Sequence, residues 1–434
     1  RSITYASADP SYRDIPQDDE GGFEERAQPR GRGVRKSVSA NEFGALSKSD
    51  VQSALRDPEG EGRVASIPSD IGKLFESKLN YMLVFVPIGI VSMFMHLNAG
   101  IVFASNFLAI IPLAALLGTA TEALAVHTGP LIGSLLNATF GNAVEMIMCI
   151  QAVRQGLIQV VQGNLLGSVL SNLLLVLGMS LFAAGIKVLC QGDQTYKDLK
   201  FSAQGAQANM VCQVVASVAI ILPMLFQDAH SKPEDTLTIS RYSAMFLLLT
   251  YACFLFFQLK THADLFGDEG GDGEEAATSK SVAVIMLLAV TAIVSVCSEG
   301  LVDSIEEVSE QYGIPHSFIG IILLPIVGNA AEHSTAVTCA MRNMLDLSLG
   351  VAVGSSTQVS LFVVPVSVLA GWAFDQPMSL DFRKFETACY ILTVFLVQSV
   401  LVSGHTNWLH GMMLMTTYCL IAVVVWFIPS PGHG

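Results

Sequence analysis

The sequence predicts an all-α polytopic membrane protein of about eleven transmembrane helices. Two observations carry that prediction, and a third gives it symmetry. Of 434 residues, 52% are hydrophobic and only 14% charged, whereas about a quarter are charged in ordinary soluble domains. The apolar residues also fall into long runs, such as "YMLVFVPIGIVSMFM" and "NLLLVLGMSLFAAGI", and roughly 20 such residues cross a bilayer as helix. The third observation is a short motif around residue 142 that returns 187 residues later. The formal net charge of −14 argues against a nucleic-acid partner. Eight cysteines stand singly in or beside the apolar runs with no CxxC pair, which suggests neither a disulfide framework nor a zinc site.

Residues 1–72 are rich in Ser, Gly, Pro, Arg and Asp and are expected to form a disordered tail. Within them "RGRGVRKSVS" sets a basic cluster beside Ser37 and Ser39, either a phosphorylation site or a plain solvated segment. No signal peptide opens the sequence and its first residue is not Met, so the start is expected to lie upstream or to have been removed. Candidate spans follow at 80–96, 101–126, 130–153, 158–186, 208–226, 241–259, 281–303, 317–341, 345–373, 384–403 and 408–428. The acidic stretch "DLFGDEGGDGEE" falls between the sixth and seventh. Six preceding spans put it on the same side as the tail. Lys187, Lys197 and Lys200 favour a cytosolic tail, and the missing signal peptide adds to that expectation. Arg383 and Lys384 oppose it.

The repeat joins "FGNAVEMI" (140–147) to "VGNAAEHS" (327–334). At the same offset "GSVLSN" (167–172) meets "GSSTQV" (354–359), and Gly133 meets Gly320. Glu145 is the one charged residue between His127 and Arg154, and Glu332 the one between Gly313 and Met341. The two motifs lie on the third and eighth spans, an odd separation, so they cross the membrane in opposite directions. Inverted repeats with a midplane site are the design of many secondary transporters.

An ionised glutamate near the bilayer centre costs several kcal/mol unless it is paired, hydrated or metal-bound. Two of them facing one another need protons or a divalent cation, and each occupant excludes the other. That exclusion is the chemical requirement of an antiporter. Asn142 and Asn329 lie one turn from the two carboxylates. Asn137, Gly141 and Glu145, at i, i+4 and i+8, are expected to share one helix face. Pro325, Gly328 and Gly141 can open the helices and free backbone carbonyls. In the following spans Asn164, Ser168 and Ser171 line up, as do Ser355 and Gln358. Carboxylate, amide, hydroxyl and carbonyl oxygens suit Ca²⁺, with Mn²⁺ as a second candidate cargo. His333 is either proton-coupled or a hydrogen-bonding neighbour. Glu122 and Glu299, near the ends of the second and seventh spans, either line access paths or simply reach water.

The stretches "NFLAIIPLAALL", "LLNATFGNAVE", "LGSVLSNLLLVLG", "FIGIILLPIVGNAAEH" and "LGVAVGSSTQVSLFV" resemble the CAX family of the calcium/cation antiporter superfamily. The similarity runs from about residue 80 to 428, and the paired GNAxE motifs are its most specific part. The resemblance implies one peripheral first helix (80–96) and two inverted five-helix repeats (101–259 and 281–428), exchanging cytosolic Ca²⁺ for lumenal H⁺ in a vacuolar or other acidic membrane. It makes Glu145 and Glu332 the central cation-binding carboxylates, with Asn142 and Asn329 beside them. It also implies an acidic helix between the halves that binds cytosolic Ca²⁺. Here segment 260–280 offers Asp264, Asp268, Glu269, Asp272, Glu274 and Glu275. Its Gly267, Gly270, Gly271 and Gly273 weaken helix formation, so a flexible acidic linker is the alternative. A second departure is Ala123, where the pattern has another acid beside Glu122.

A sodium-coupled Ca²⁺ exchanger of the same superfamily is the nearest competing reading, and a channel is another. An intramembrane hydrolase built on Glu332 and His333 would need HExxH spacing, which "AEHSTAV" lacks, and would leave the inverted duplication unexplained. The expected partners are thus Ca²⁺, H⁺ and membrane lipids, with no enzymatic activity and no resident cofactor.

Overall fold

The computed structural model describes residues 78–190, 198–230, 232–266 and 279–428. The expected disordered tail lies outside them. The described residues form helices α1 (Phe85–Phe94), α2 (Ala99–Thr128), α3 (Pro130–Phe140), α4 (Ala143–Arg154), α5 (Ile158–Cys190), α6 (Ala203–His230) and α7 (Pro233–Thr261). There follow α8 (Lys280–Asp303), α9 (Ile305–Tyr312), α10 (His316–Gly328), α11 (Ala330–Met341), α12 (Leu345–Ala373), α13 (Lys384–Leu401) and α14 (Trp408–Trp426). Among the described residues eight helices are long and apolar enough to cross a membrane, α8 and α9 counting as one, and the pair α10/α11 makes nine. The expected first span is shorter (Leu79–Phe94), and the third is divided between α3 and α4.

Local chemistry explains the divisions. Asn98 caps α2 by accepting from the Gly100 N–H at 2.9 Å, and Asn407 caps α14 in the same way. Gly129, at φ +81°, ends α2, and Pro130 opens α3, the usual order of glycine past a helix end and proline just inside the next start. The backbone then leaves helical values at Asn142 (φ −105°, ψ 21°) and again at Asn329 (φ −87°, ψ 15°). The second break bends α10 against α11 by 56°. These two breaks are 187 residues apart, so the duplication seen in sequence is also a duplication of backbone shape.

The centre belongs to α5 and α12, which the offset also relates. Every residue of α5 from Val160 to Leu174 is buried, and a helix apolar and covered on all sides must be internal. Close approach requires small residues there. A Cβ added at Gly163 would lie 3.3 Å from the Gly320 Cα, and one at Gly167 would run into the Ile321 backbone. Small residues allow this kind of contact between membrane helices. Single-turn π segments interrupt the inner helices at Ser171–Val176, Ile319–Leu323, Gly350–Gly354 and Val359–Val363; such bulges gather at functional sites. The outer helices α6, α7, α13 and α14 expose Leu222, Phe246, Phe395 and Leu420, apolar faces that a bilayer covers. Leu199–Lys200 pairs antiparallel with His405–Thr406 and ties the start of α6 to the α13–α14 turn.

One buried knot locks α13 onto this centre. The Tyr390 hydroxyl donates to Gln213 Oε1 at 2.8 Å, and Ser360 Oγ donates to the same oxygen at 3.0 Å. Tyr390→Phe is expected to cost about 1 kcal/mol of stability. The check is a lowered melting temperature in detergent with the transport rate held.

Candidate functional site

The two broken helices meet head to head at the centre. In each, the asparagine is the cap of the second half-helix and the glutamate sits in its first turn: Asn142 with Glu145, and Asn329 with Glu332. A capping asparagine ordinarily turns its side chain back onto its own helix. Neither does so here.

The amides reach across to the other repeat instead. Asn142 Nδ2 donates to Gln358 Oε1 at 2.7 Å, and Asn142 Oδ1 accepts from Ser355 Oγ at 3.3 Å. Asn329 Oδ1 accepts from Ser168 Oγ at 3.1 Å, and its Nδ2 donates to the Ser168 carbonyl at 3.2 Å. Ser168 and Ser355 are themselves mates at the offset of 187. Each repeat's asparagine is therefore fastened by the other repeat's serine. The breaks in the helices thus have a positive use: they turn four polar side chains inward that a continuous helix would keep for itself.

The carboxylates fill the space these amides frame. Glu145 is 1% exposed, and among the described residues neither of its carboxylate oxygens has a hydrogen-bond partner. A Cβ added at Gly328 would lie 3.0 Å from Glu145 Oε1, so the carboxylate rests on the opposite repeat's break. Glu332 is half-buried, and its Oε2 is also without a partner. Glu332 stands in the first turn after the Gly328–Asn329 break on which Glu145 rests. Buried polar groups are normally satisfied, and buried charge without a partner is costly. Helix N-termini give each carboxylate some support, at most a few kcal/mol. A proton or a cation has to supply the rest. The oxygens available to a cation are the two carboxylates and the amides and hydroxyls just named, a hard-ligand set.

A cavity of about 320 Å³ leads to this centre, with Glu122, Asn137, Gly141, Gly328, Glu332 and Thr335 in its wall. Leu79 and Glu122 also border it, so it opens on the face where α1 begins and α2 ends. Glu332 is part of the wall and Glu145 is not. Two sequence-equivalent glutamates thus differ in access.

The remaining candidates divide. Ser171 Oγ lies 3.2 Å from His333 Nε2, which makes His333 a hydrogen-bonding neighbour across the repeat interface. Asn137 lines the cavity but is exposed. The expected common face of Asn137, Gly141 and Glu145 is corrected here, because the chain breaks between Gly141 and Ala143 and the i+8 relation no longer holds. Glu299 is exposed on α8 and is not in the wall of this cavity. Asp264 sits in the short helix Ala263–Phe266; Asp268, Glu269, Asp272, Glu274 and Glu275 lie outside the described residues. Among the described residues no group of three or more His, Cys, Asp and Glu is placed to hold a metal. Sequence reasoning missed Asn172, whose Nδ2 donates to Ser355 Oγ at 3.1 Å. Its mate at the repeat offset is the apolar Val359, so the comparison of repeats could not find it.

Against known proteins, residues 98–260 and 282–427 match the model of the sodium/calcium exchanger protein family. The vacuolar calcium ion transporter of Schizosaccharomyces pombe is 40% identical over 366 residues, 82% of this chain and 86% of that protein. The vacuolar cation/proton exchanger 2 of Arabidopsis thaliana is 42% identical over 412 residues, 92% of this chain and 91% of that protein. Among solved structures, native YfkE superposes with a TM-score of 0.70 at 34% identity, over 81% of this chain and 100% of that one.

Proposed function

The chain belongs to the sodium/calcium exchanger family, and from that premise we propose that it is a Ca²⁺/H⁺ antiporter whose shared site for both ions is the pair Glu145 and Glu332. The carrying observation is three buried carboxylate oxygens, both of Glu145 and one of Glu332, that have no partner. They start two opposed half-helices within an oxygen-rich frame. Ca²⁺ satisfies them in one state and protons neutralise them in the other. Ser168, Ser355, Gln358, Asn142 and Asn329 fix the frame, and the amide oxygens join the carboxylates as ligands when the cation arrives.

Alternating access follows from the inverted repeat. We assign the face on which the cavity opens, where α1 begins, to the cytosol, in keeping with the expected cytosolic tail, and the opposite face to the lumen. Relatives named vacuolar and the many apolar helices support a multi-pass protein of the vacuolar membrane. Energetics are sufficient: a gradient of two pH units supplies roughly 2.7 kcal/mol per proton, so two protons nearly balance a ten-thousand-fold Ca²⁺ gradient, about 5.5 kcal/mol.

The test is ⁴⁵Ca²⁺ uptake into liposomes loaded either with acid or with sodium. Acid loading is expected to drive uptake against a gradient and sodium loading is not; the reverse result would make the chain a sodium-coupled exchanger. Mn²⁺ in place of Ca²⁺ measures its standing as second cargo. Glu122, at the cavity mouth, serves cation capture. Glu122→Gln is expected to raise the half-saturating Ca²⁺ concentration about threefold at low ionic strength, an effect that fades with added salt because it is electrostatic steering.

A further inference from the structure

The observed cavity and the repeat together define the route on the other side. Under the offset of 187, cavity-lining Asn137, Ser334 and Thr335 correspond to Leu324, Ile147 and Met148. Cavity-lining Glu332 corresponds to Glu145, and Val351 corresponds to Asn164. When the protein opens the opposite way, the inverted repeat places these mates around the opening. At these positions the two routes are chemically unlike. Where the observed cavity has an amide and two hydroxyls, its counterpart has three apolar side chains. Where the observed cavity has valine, the counterpart has an amide.

Asn164 carries a buried acceptor that has no donor among the described residues. It is 2% exposed, near the start of α5 and thus toward the face opposite the cavity. Its Nδ2 donates to Cys149 Sγ at 3.3 Å, one helical turn beyond Glu145, and its Oδ1 is buried without a partner. A buried amide oxygen left unsatisfied is costly. Through Cys149 the amide is held to α4, the helix whose first turn carries Glu145, and both oxygens of Glu145 are equally unsatisfied among the described residues.

We propose that Asn164 Oδ1 is a release-side ligand: it binds the divalent cation together with Glu145 only when the site faces away from the observed cavity. The proposal rests on the exchange reading above. Beside Leu324, Ile147 and Met148, the apolar mates of Asn137, Ser334 and Thr335, it supplies a neutral oxygen donor close to the shared centre, and the cation passes to it on the way out.

A ligand used on one side only has a signature that neither a structural residue nor a central ligand shares. In vesicles of one orientation, initial exchange rates give a half-saturating Ca²⁺ concentration for each face, and the quantity of interest is their ratio. Asn164→Val copies the residue the fold already carries at the equivalent position. It is expected to raise the lumenal value about tenfold and leave the cytosolic value unchanged. Asn164→Asp keeps the oxygen and adds charge, and is expected to lower the lumenal value; it decides the matter alone if the valine variant does not fold. A ratio within twofold of wild type, or an equal change on both faces, overturns the proposal. Acid-driven uptake by the unmutated protein is measured in the same vesicles, so failure of the exchange reading is seen separately.

Discussion

Glu332→Gln and Glu145→Gln are each expected to lower acid-driven Ca²⁺ uptake at least about a hundredfold, because removing one partner of a buried charged set costs about 3–5 kcal/mol. Stability should move the other way. Among the described residues neither oxygen of Glu145 has a partner, so the amide replaces a carboxyl that must otherwise be kept protonated, and breaks no bond. In the absence of Ca²⁺ the Glu145→Gln melting temperature is expected to match or exceed that of the unmutated protein. Calcium binding at a hundred times its dissociation constant stabilises a protein by about 2.7 kcal/mol, and this gain should vanish in both variants. Thermal melts with and without Ca²⁺, beside uptake assays, separate this loss of a site from a loss of fold. A variant that transports poorly yet still melts higher with Ca²⁺ would move the site elsewhere.

Gly328→Ala should be the next most damaging change, although it alters no charge. Its new Cβ would stand 3.0 Å from Glu145 Oε1 and 3.2 Å from Cδ, so the carboxylate must give way. Overpacking of this kind costs about 1–3 kcal/mol, and the displaced group is the one proposed to meet the cation. Transport is expected to fall about tenfold with the protein still folded. Gly118→Ala is the control: it borders the same cavity, and a Cβ there meets nothing within 4 Å. Equal rates for the two variants would show that the contact between Gly328 and Glu145 is immaterial.

Much of this was legible in the sequence, for identifiable reasons. Apolar runs report bilayer crossing directly, so most spans fall where hydropathy puts them. Glu145 stood out because a carboxylate in an apolar run has no cheap explanation, and Glu332 because it repeats the pattern at a fixed offset. The breaks were legible only in part. Gly141 and Gly328 signal a weak point, yet the backbone turns at Asn142 and Asn329, whose side chains abandon their capping role for partners 213 and 161 residues away. No local propensity encodes such pairing. Asn172 and the exposed position of Asn137 belong to the same class. Glu122 and Glu299 looked alike in sequence, but Glu122 lines the cavity that reaches the centre and Glu299 does not.

The proposed competition of protons and Ca²⁺ for the same two carboxylates is read by proton release on Ca²⁺ binding. Ca²⁺ is titrated into the purified protein in weakly buffered detergent solution at neutral pH, and the released acid is read with an indicator dye. The account expects protons to appear in step with Ca²⁺ binding, and expects Glu145→Gln and Glu332→Gln to release fewer. Calcium binding with no proton release, or undiminished release by both variants, would contradict it.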